Sequence, residues 1–252
     1  MINILDLNAV HQGDCLEVMK QIDDNTIDLI LCDLPFGTTA CKWDTVIPFE
    51  PLWEQYNRVI KDNSAILLFS QQPFTTDLVN SNRKYFRYEI IWEKNRSLGF
   101  LNAKKMPLRC HEVILVFYKK LPTYNPQFTE GKPYKSKSSG NGKPTTSIYR
   151  AYTPIRNNNA GTRYPRDVIR INGGDNGRFH PTQKSVFFLE YLIKTYTNKF
   201  ETVLDNCSGS GSTGVACINT SRNFICIEQE ESYVEISRKR IQNAREKHEG
   251  GS

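Results

Sequence analysis

The stretch Ile27-Asp28-Leu29-Ile30-Leu31-Cys32-Asp33-Leu34-Pro35-Phe36-Gly37 decides how the rest of the chain is read. Its first six residues form an apolar run of strand length, which a proline and a glycine stop abruptly. A carboxylate, a kinked backbone and an aromatic ring therefore arrive together at a strand's carboxyl edge. Open α/β sheets place their ligands there. Alone, an Asp-x-Pro is an ordinary turn signal. What gives this one weight lies far downstream, between Val203 and Glu228.

Outward from that strand, apolar runs alternate with helical periodicity. Val10 to Leu16 predicts a short strand and turn, and Cys15 to Ile22 a short helix with Leu16, Met19 and Ile22 on one face, which Asp14 could cap. Glu50 to Ile60 predicts a helix, with Leu52, Trp53, Tyr56, Val59 and Ile60 as its apolar stripe. Asn63 to Ser70 predicts a buried strand, Thr75 to Asn80 a short helix, and Tyr88 to Trp92 and Val113 to Tyr118 two further strands. Beyond an interruption, Ser185 to Tyr196 reads as a helix, Thr202 to Asp205 and Phe224 to Glu228 as strands, and Glu231 to Lys247 as an amphipathic helix. Gly250-Gly251-Ser252 reads as a tail. This alternation predicts an α/β fold built on a doubly wound, mostly parallel sheet.

A chain of 252 residues accommodates one such domain with an insertion, or two small domains. It holds no 18-residue apolar run and opens with no basic-then-apolar leader, so a soluble, cytoplasmic protein without a membrane partner is expected. Seven cysteines are scattered without a Cys-x-x-Cys pair, and Cys32, Cys217 and Cys226 lie inside apolar segments. Buried reduced thiols are the expectation, with no metal site. The net charge of +6 and pI near 8.9 favour an anionic partner.

That charge is concentrated. Residues 119–184 carry thirteen Lys or Arg against three acids, a net of +10 that leaves −4 for the remainder. Gly, Asn, Pro and Ser replace apolar periodicity there, and Tyr124, Tyr134, Tyr149, Tyr152 and Tyr164 are interleaved with the charges. Such a segment is either a solvated loop or a nucleic-acid-reading module with stacking surfaces. The α/β domain is then expected over 1–118 and 185–249, with 119–184 as a basic, irregular insertion.

Gly209, Gly211 and Gly214 form a Gly-x-Gly-x-x-Gly after a strand and before a helix, with Glu228 nineteen residues beyond Gly209. Glycines let a backbone approach a ligand, and an acid at the next strand's end accepts hydrogen bonds from a ribose. No lysine follows the glycines, so this is not a phosphate-gripping loop. A dinucleotide and S-adenosylmethionine remain. Asp205, four residues before Gly209, separates them, since like charges a few ångströms apart cost about 1–4 kcal/mol. It would repel a pyrophosphate and attract an ammonium and a sulfonium.

With both segments in hand, the chain resembles the DNA amino-methyltransferases of the permuted β group, whose catalytic tetrapeptide precedes the cofactor loop. The family's Asp-Pro-Pro-Tyr stands here as Asp33-Leu34-Pro35-Phe36, and its Asp-Pro-Phe-x-Gly-x-Gly as Asp205-Asn206-Cys207-Ser208-Gly209-Ser210-Gly211. Gly13-Asp14-Cys15 and His180-Pro181-Thr182-Gln183-Lys184 match two further motifs. Leu34, Phe36 and Cys207 depart from the pattern; a ring at 36 still stacks.

The resemblance implies a Rossmann-like methyltransferase fold with circularly permuted motif order. It also implies methyl transfer from S-adenosylmethionine to a base flipped out of double-stranded DNA, of the kind found in restriction–modification systems. It gives the acceptor amine to the Asp33 carboxylate and Leu34 carbonyl, with Pro35 shaping the corner and Phe36 stacking on the base. Asp14, beside Cys15, would meet the cofactor's adenine amine, Glu228 its ribose and Lys184 its carboxylate. Asp33, Asp205, Cys207, Gly209, Ser210, Gly211 and Thr213 would complete that site. Lys135, Lys137, Arg150, Arg156, Arg163 and Arg166 of the insertion are expected to hold DNA, and a second copy of the chain is an optional partner. Adenine N6 is the preferred acceptor because an aspartate opens the tetrapeptide. Cytosine N4, an RNA acceptor, or an inactive nucleic-acid-binding relative are the alternatives.

Overall fold

The computed structural model describes residues 5–38, 44–135, 158–171 and 184–250. The chain begins with β1 (Ala9–Gln12), α1 (Cys15–Met19), β2 (Ile27–Cys32), α2 (Phe49–Val59), β3 (Ile60–Ser70), α3 (Phe74–Ser81), β4 (Phe86–Leu98) and β5 (Arg109–Phe117). Four two-residue strands follow: β6 (Thr129–Glu130), β7 (Tyr134–Lys135), β8 (Asn158–Asn159) and β9 (Thr162–Arg163). Then come β10 (Val168–Arg170), α4 (Val186–Tyr196), β11 (Thr202–Asp205), α5 (Ser212–Asn219), β12 (Asn223–Glu228) and α6 (Glu231–Gly250).

Eight strands form one sheet in the order β1-β12-β11-β2-β3-β5-β4-β10. Pairing is parallel from β1 through β3 and again between β4 and β10, while β5 is antiparallel to both neighbours. From β2 the chain builds toward β3, and from β11 it builds the opposite way, toward β12. The carboxyl ends of these adjacent central strands therefore flank the topological switch point, where a crevice opens.

Side-chain alternation supplies both faces of the sheet. Leu29, Leu31, Ala65, Leu67 and Phe69 pack with Phe188, Leu189 and Leu192 of α4, Ala216 of α5 and Ile241 of α6. Ile30, Cys32, Ile66 and Leu68 pack with Met19 of α1, Leu52 and Tyr56 of α2 and Leu78 of α3. Each fully buried aliphatic side chain contributes about 1.5–3 kcal/mol, so the doubly covered β2 anchors the sheet.

The structure draws some boundaries differently from the sequence. The strands expected at Tyr88–Trp92 and Val113–Tyr118 are the inner parts of a long antiparallel hairpin, paired out to Leu98 and Arg109. Contacts divide the chain into one unit of Met1–Asn125 with Asp167–Ser252 and another of Pro126–Arg166, narrower than the insertion expected at 119–184. Two local causes shrink it. Val168–Arg170 pairs with Ile91–Glu93 of β4, and Ile169 and Ile171 pack on the apolar core. Lys119 and Lys120 both pair with Asp62.

Within Pro126–Arg166, β6 pairs with β9 and β7 with β8, both antiparallel. Arg163 binds these ribbons together, donating to Asn159 Oδ1 at 2.7 Å and to the carbonyls of Thr162 and Lys132, with its guanidinium 4.7 Å from the Tyr134 ring. Phe128 and Tyr164 pack with ring centroids 4.8 Å apart. Of the expected DNA-contacting residues, Lys135 and Arg166 are exposed, whereas Arg163 is half-buried in its own unit. Lys137, Arg150 and Arg156 lie outside the described residues, as do Tyr149, Tyr152, Cys41 and His180 to Gln183.

Candidate active site

Because β1, β2, β11 and β12 run parallel, their carboxyl ends bring Gly13-Asp14, Asp33, Asp205 and Glu228 to one edge of the sheet. A cleft of about 1390 Å³ opens there, lined by these residues together with Phe36, Trp92, Lys94, Glu112, Lys184 and the glycine loop.

Each carboxylate first organises its own turn. Asp14 caps α1, Oδ1 accepting from the Leu16 and Glu17 N–H groups at 2.9 and 3.2 Å. Asp205 accepts from the Cys207 N–H at 3.2 Å and the Thr213 hydroxyl at 2.5 Å, which ties the strand end to the start of α5. Glu228 accepts from the Gly209 N–H at 2.7 Å and the Glu230 N–H at 2.9 Å. Gly211 has φ +76°, and a Cβ there would stand 2.1 Å from Ser237 Oγ, so only glycine lets the loop lie against α6. A Cβ on Gly209 would meet nothing within 4 Å. Burial pushes the Asp205 carboxyl up to about 7, against the pull of its Thr213 and Cys207 hydrogen bonds.

At the end of β2, Leu34 is buried and Phe36 packs on Phe74, ring centroids 5.2 Å apart. Asp44, itself buried, holds the turn beyond by accepting from the Gly37 and Thr38 N–H groups at 2.9 Å each. Asp33 Oδ2 lies 2.9 Å from Lys184 Nζ, which also sits 3.0 Å from Glu112 Oε2 and 4.7 Å from the centre of the Phe69 ring. Lys94 grips the other oxygen of Glu112. Burial raises the Asp33 carboxyl above its ordinary range, and Lys184 opposes that without cancelling it. Burial acts upward on Glu112 too, but Lys184 and Lys94 together hold it low. Burial would lower the Lys184 ammonium, yet its two carboxylate partners raise it, so it stays charged.

Six buried side-chain polar atoms among the described residues have no hydrogen-bond partner, and four line this cleft: Asp33 Oδ1, Trp92 Nε1, Ser185 Oγ and Ser208 Oγ. Buried polar groups are normally satisfied, so their concentration marks where a ligand belongs. The sulfur groups offer no nucleophile. Cys32 is fully buried and its thiol is pushed up to about 12 by that burial.

Sequence reasoning placed Asp33, Leu34, Pro35, Phe36, Asp14, Cys15, Lys184, Asp205, Cys207, Gly209, Ser210, Thr213 and Glu228 on this cleft, and they line it together. Gly211 supports the loop from behind. Asp44, Lys94 and Glu112 were missed. Glu112 carried one available signal, a carboxylate heading the otherwise apolar run Val113–Phe117.

A doubly wound sheet whose switch point holds a glycine loop between carboxylates, beside an Asp-x-Pro-aromatic corner, suits a cationic nucleoside ligand. The DNA methylase family, of N6/N4 type, matches residues 27–239. The type II methyltransferase M2.MboI of Moraxella bovis is 26% identical over 92% of this chain and 86% of its own length. Among solved structures, the M1.HpyAVI–SAM complex superimposes with a TM-score of 0.61 at 23% identity, covering 92% of this chain and 98% of that one. The cytosine-N4-specific PvuII DNA methyltransferase gives 0.65 at 14% identity, covering 96% and 93%. The chain belongs to the DNA methylase family: it is a DNA amino-methyltransferase of the adenine-N6 or cytosine-N4 type.

Proposed function

We propose that this enzyme methylates the exocyclic N6 of an adenine swung out of duplex DNA, using S-adenosylmethionine. The observation that carries the reading is Asp33 itself: one oxygen held by Lys184, the other buried in the cleft without a partner. An exocyclic amine is a poor nucleophile because its lone pair is delocalised into the ring. Asp33 Oδ1 and the Leu34 carbonyl, accepting its two hydrogens, favour the tetrahedral nitrogen whose lone pair points at the methyl group. Oriented acceptors and positioning then supply the rate. The cofactor supplies an electrophilic methyl group. As the nitrogen–carbon bond forms, the nitrogen sheds a proton toward the acceptor carboxylate. Phe36, braced by Phe74, stacks on the base, offsetting part of the few kcal/mol that flipping costs.

The donor set fits the cofactor. Asp205 faces its ammonium, Glu228 its ribose hydroxyls and Asp14 its adenine amine, each with acceptor capacity beyond the bonds made to the backbone. The Lys184 ammonium keeps one N–H beyond Asp33 and Glu112 for a carboxylate. An aspartate opening the tetrapeptide supports adenine; the fold shared with a cytosine-N4 enzyme keeps cytosine as the second reading. Lys135 and Arg166, exposed on their own unit, remain candidates for phosphate contact, as do Lys137, Arg150 and Arg156. Incubation with labelled S-adenosylmethionine and plasmid DNA, followed by nucleoside mass spectrometry, is expected to yield N6-methyladenine. N4-methylcytosine would select the second reading, and methylated RNA alone would reject both.

Cofactor affinity should depend on pH through Asp205. Its carboxyl titrates at about 7, so the charge that attracts a cation is present above that pH and lost below it. Calorimetry is expected to show S-adenosylmethionine binding weakening between pH 8 and pH 6, by about tenfold if the full charge interaction is lost. In Asp205→Asn, binding should be weak and pH-independent. Equal pH dependence in both proteins would remove Asp205 from this role.

A further inference from the structure

The hairpin between β4 and β5 rises from the rim of the cleft and is exposed throughout residues 95–109. Its tip carries Phe100 and Leu101, 78% and 82% exposed, with Met106 and Leu108 beside them. Apolar side chains at such exposure, gathered on one short turn, mark an interaction site. The turn is built rather than loose: Gly99 adopts φ +87°, and the Asn102, Ala103, Lys105 and Met106 N–H groups donate to carbonyls within it. Residues 94–111 also contain Lys94, Arg96, Lys104, Lys105 and Arg109 and no acid. Among the described residues, only Lys94 of these five meets a carboxylate.

The base of the same hairpin, at Lys94, Asn95, Arg96, Leu98, Arg109 and Glu112, lines the cleft that contains Asp33 and Phe36. An apolar tip with uncompensated cationic flanks, continuous with the pocket for an extruded base, matches a duplex opened at one step. Proteins that distort DNA insert Phe, Leu or Met side chains between bases while cations hold the phosphates. A second copy of the chain fits less well, because a two-fold contact would set two such cationic hairpins against each other.

We propose that the β4–β5 hairpin is a wedge whose Phe100 and Leu101 enter the gap left by the target base, while Lys104 and Lys105 hold the flanking phosphates. This rests on the methyl-transfer reading above and adds a component to it. The basic segment after residue 118 was the expected grip on DNA, and the hairpin is a separate element.

The test uses the full chain. The methylated site is first mapped on plasmid DNA with the unaltered enzyme. Two oligonucleotide duplexes carrying that site are then compared, one fully paired and one with an abasic position opposite the target base, where extrusion is already cheap. Phe100→Ser/Leu101→Ser is expected to lose about tenfold or more in kcat/KM on the paired duplex but about threefold or less on the abasic one. Retained S-adenosylmethionine binding shows that the variant is folded. Lys104→Glu/Lys105→Glu should weaken both duplexes alike and reduce the log–log salt slope by about 2. Equal losses on the two duplexes, no loss, or a wild-type dimer that the serine variant turns into monomers would each overturn the wedge. An unaltered enzyme that modifies no DNA would instead overturn the methyl-transfer reading.

Discussion

Asp33→Ala is expected to lower methyl transfer by about 10²–10³-fold or more, the loss seen when one oriented polar group is removed from a transition state. S-adenosylmethionine binding should stay within about tenfold, because Asp33 acts on the acceptor amine while Asp14, Asp205 and Glu228 remain to hold the cofactor. The fold should survive as well. Lys184 keeps Glu112 as a partner, and the alanine removes a carboxylate whose burial is unfavourable to its charged form. Phe36→Ala is the comparator. It removes stacking worth roughly 1–3 kcal/mol and should cost less than the aspartate. Single-turnover rates and calorimetry on the three proteins check this. Near-normal turnover in Asp33→Ala would remove the carboxylate from the chemistry.

That Asp33 could be singled out from sequence has a physical reason. A fully buried parallel strand writes itself as a continuous apolar run, and β2 is buried at all six positions. Where such a run stops, the next residues fall on the carboxyl edge. The glycine loop was legible for a similar reason, since Gly211 occupies a conformation and a gap that no other residue tolerates. Strand direction was not legible. Val113–Phe117 has the same apolar composition as its parallel neighbours, yet pairs antiparallel with both β3 and β4. Nor was β10, because three residues, Val168-Ile169-Arg170, carry too little periodicity to stand out from a basic segment.

The charge network was hidden for another reason. Lys184 and Glu112 are 72 residues apart, and Lys94 and Glu112 are 18 apart. No periodic pattern links them; the sheet does, by placing the ends of β2, β4 and β5 around one cleft. The sequence match assigned Lys184 to the cofactor's carboxylate. The structure seats its ammonium between two protein carboxylates and over the Phe69 ring, where it sets the charge on Asp33.

Lys184→Met and Glu112→Gln should therefore move the pH profile of methyl transfer in opposite directions. Asp33 must be ionised to accept from the amine, so activity falls as pH drops through its pKa. Burial already raises that pKa, Lys184 opposes the rise and Glu112 adds to it. With methionine at 184 the opposing cation is gone, and the acid limb should shift upward by about one unit or more, as expected for losing an opposite charge within hydrogen-bond distance. The rate at neutral pH should then fall about tenfold or more, one pH unit of lost ionisation being a factor of ten. With glutamine at 112 a more distant like charge is gone and Lys184 turns wholly to Asp33, so the limb should shift downward by a smaller amount. Measuring kcat/KM from pH 5 to 9 for both variants, with S-adenosylmethionine affinity measured alongside, distinguishes this from a cofactor-binding role for Lys184. A Lys184→Met enzyme whose acid limb is unmoved and whose only defect is weaker cofactor binding would return Lys184 to the carboxylate of the cofactor.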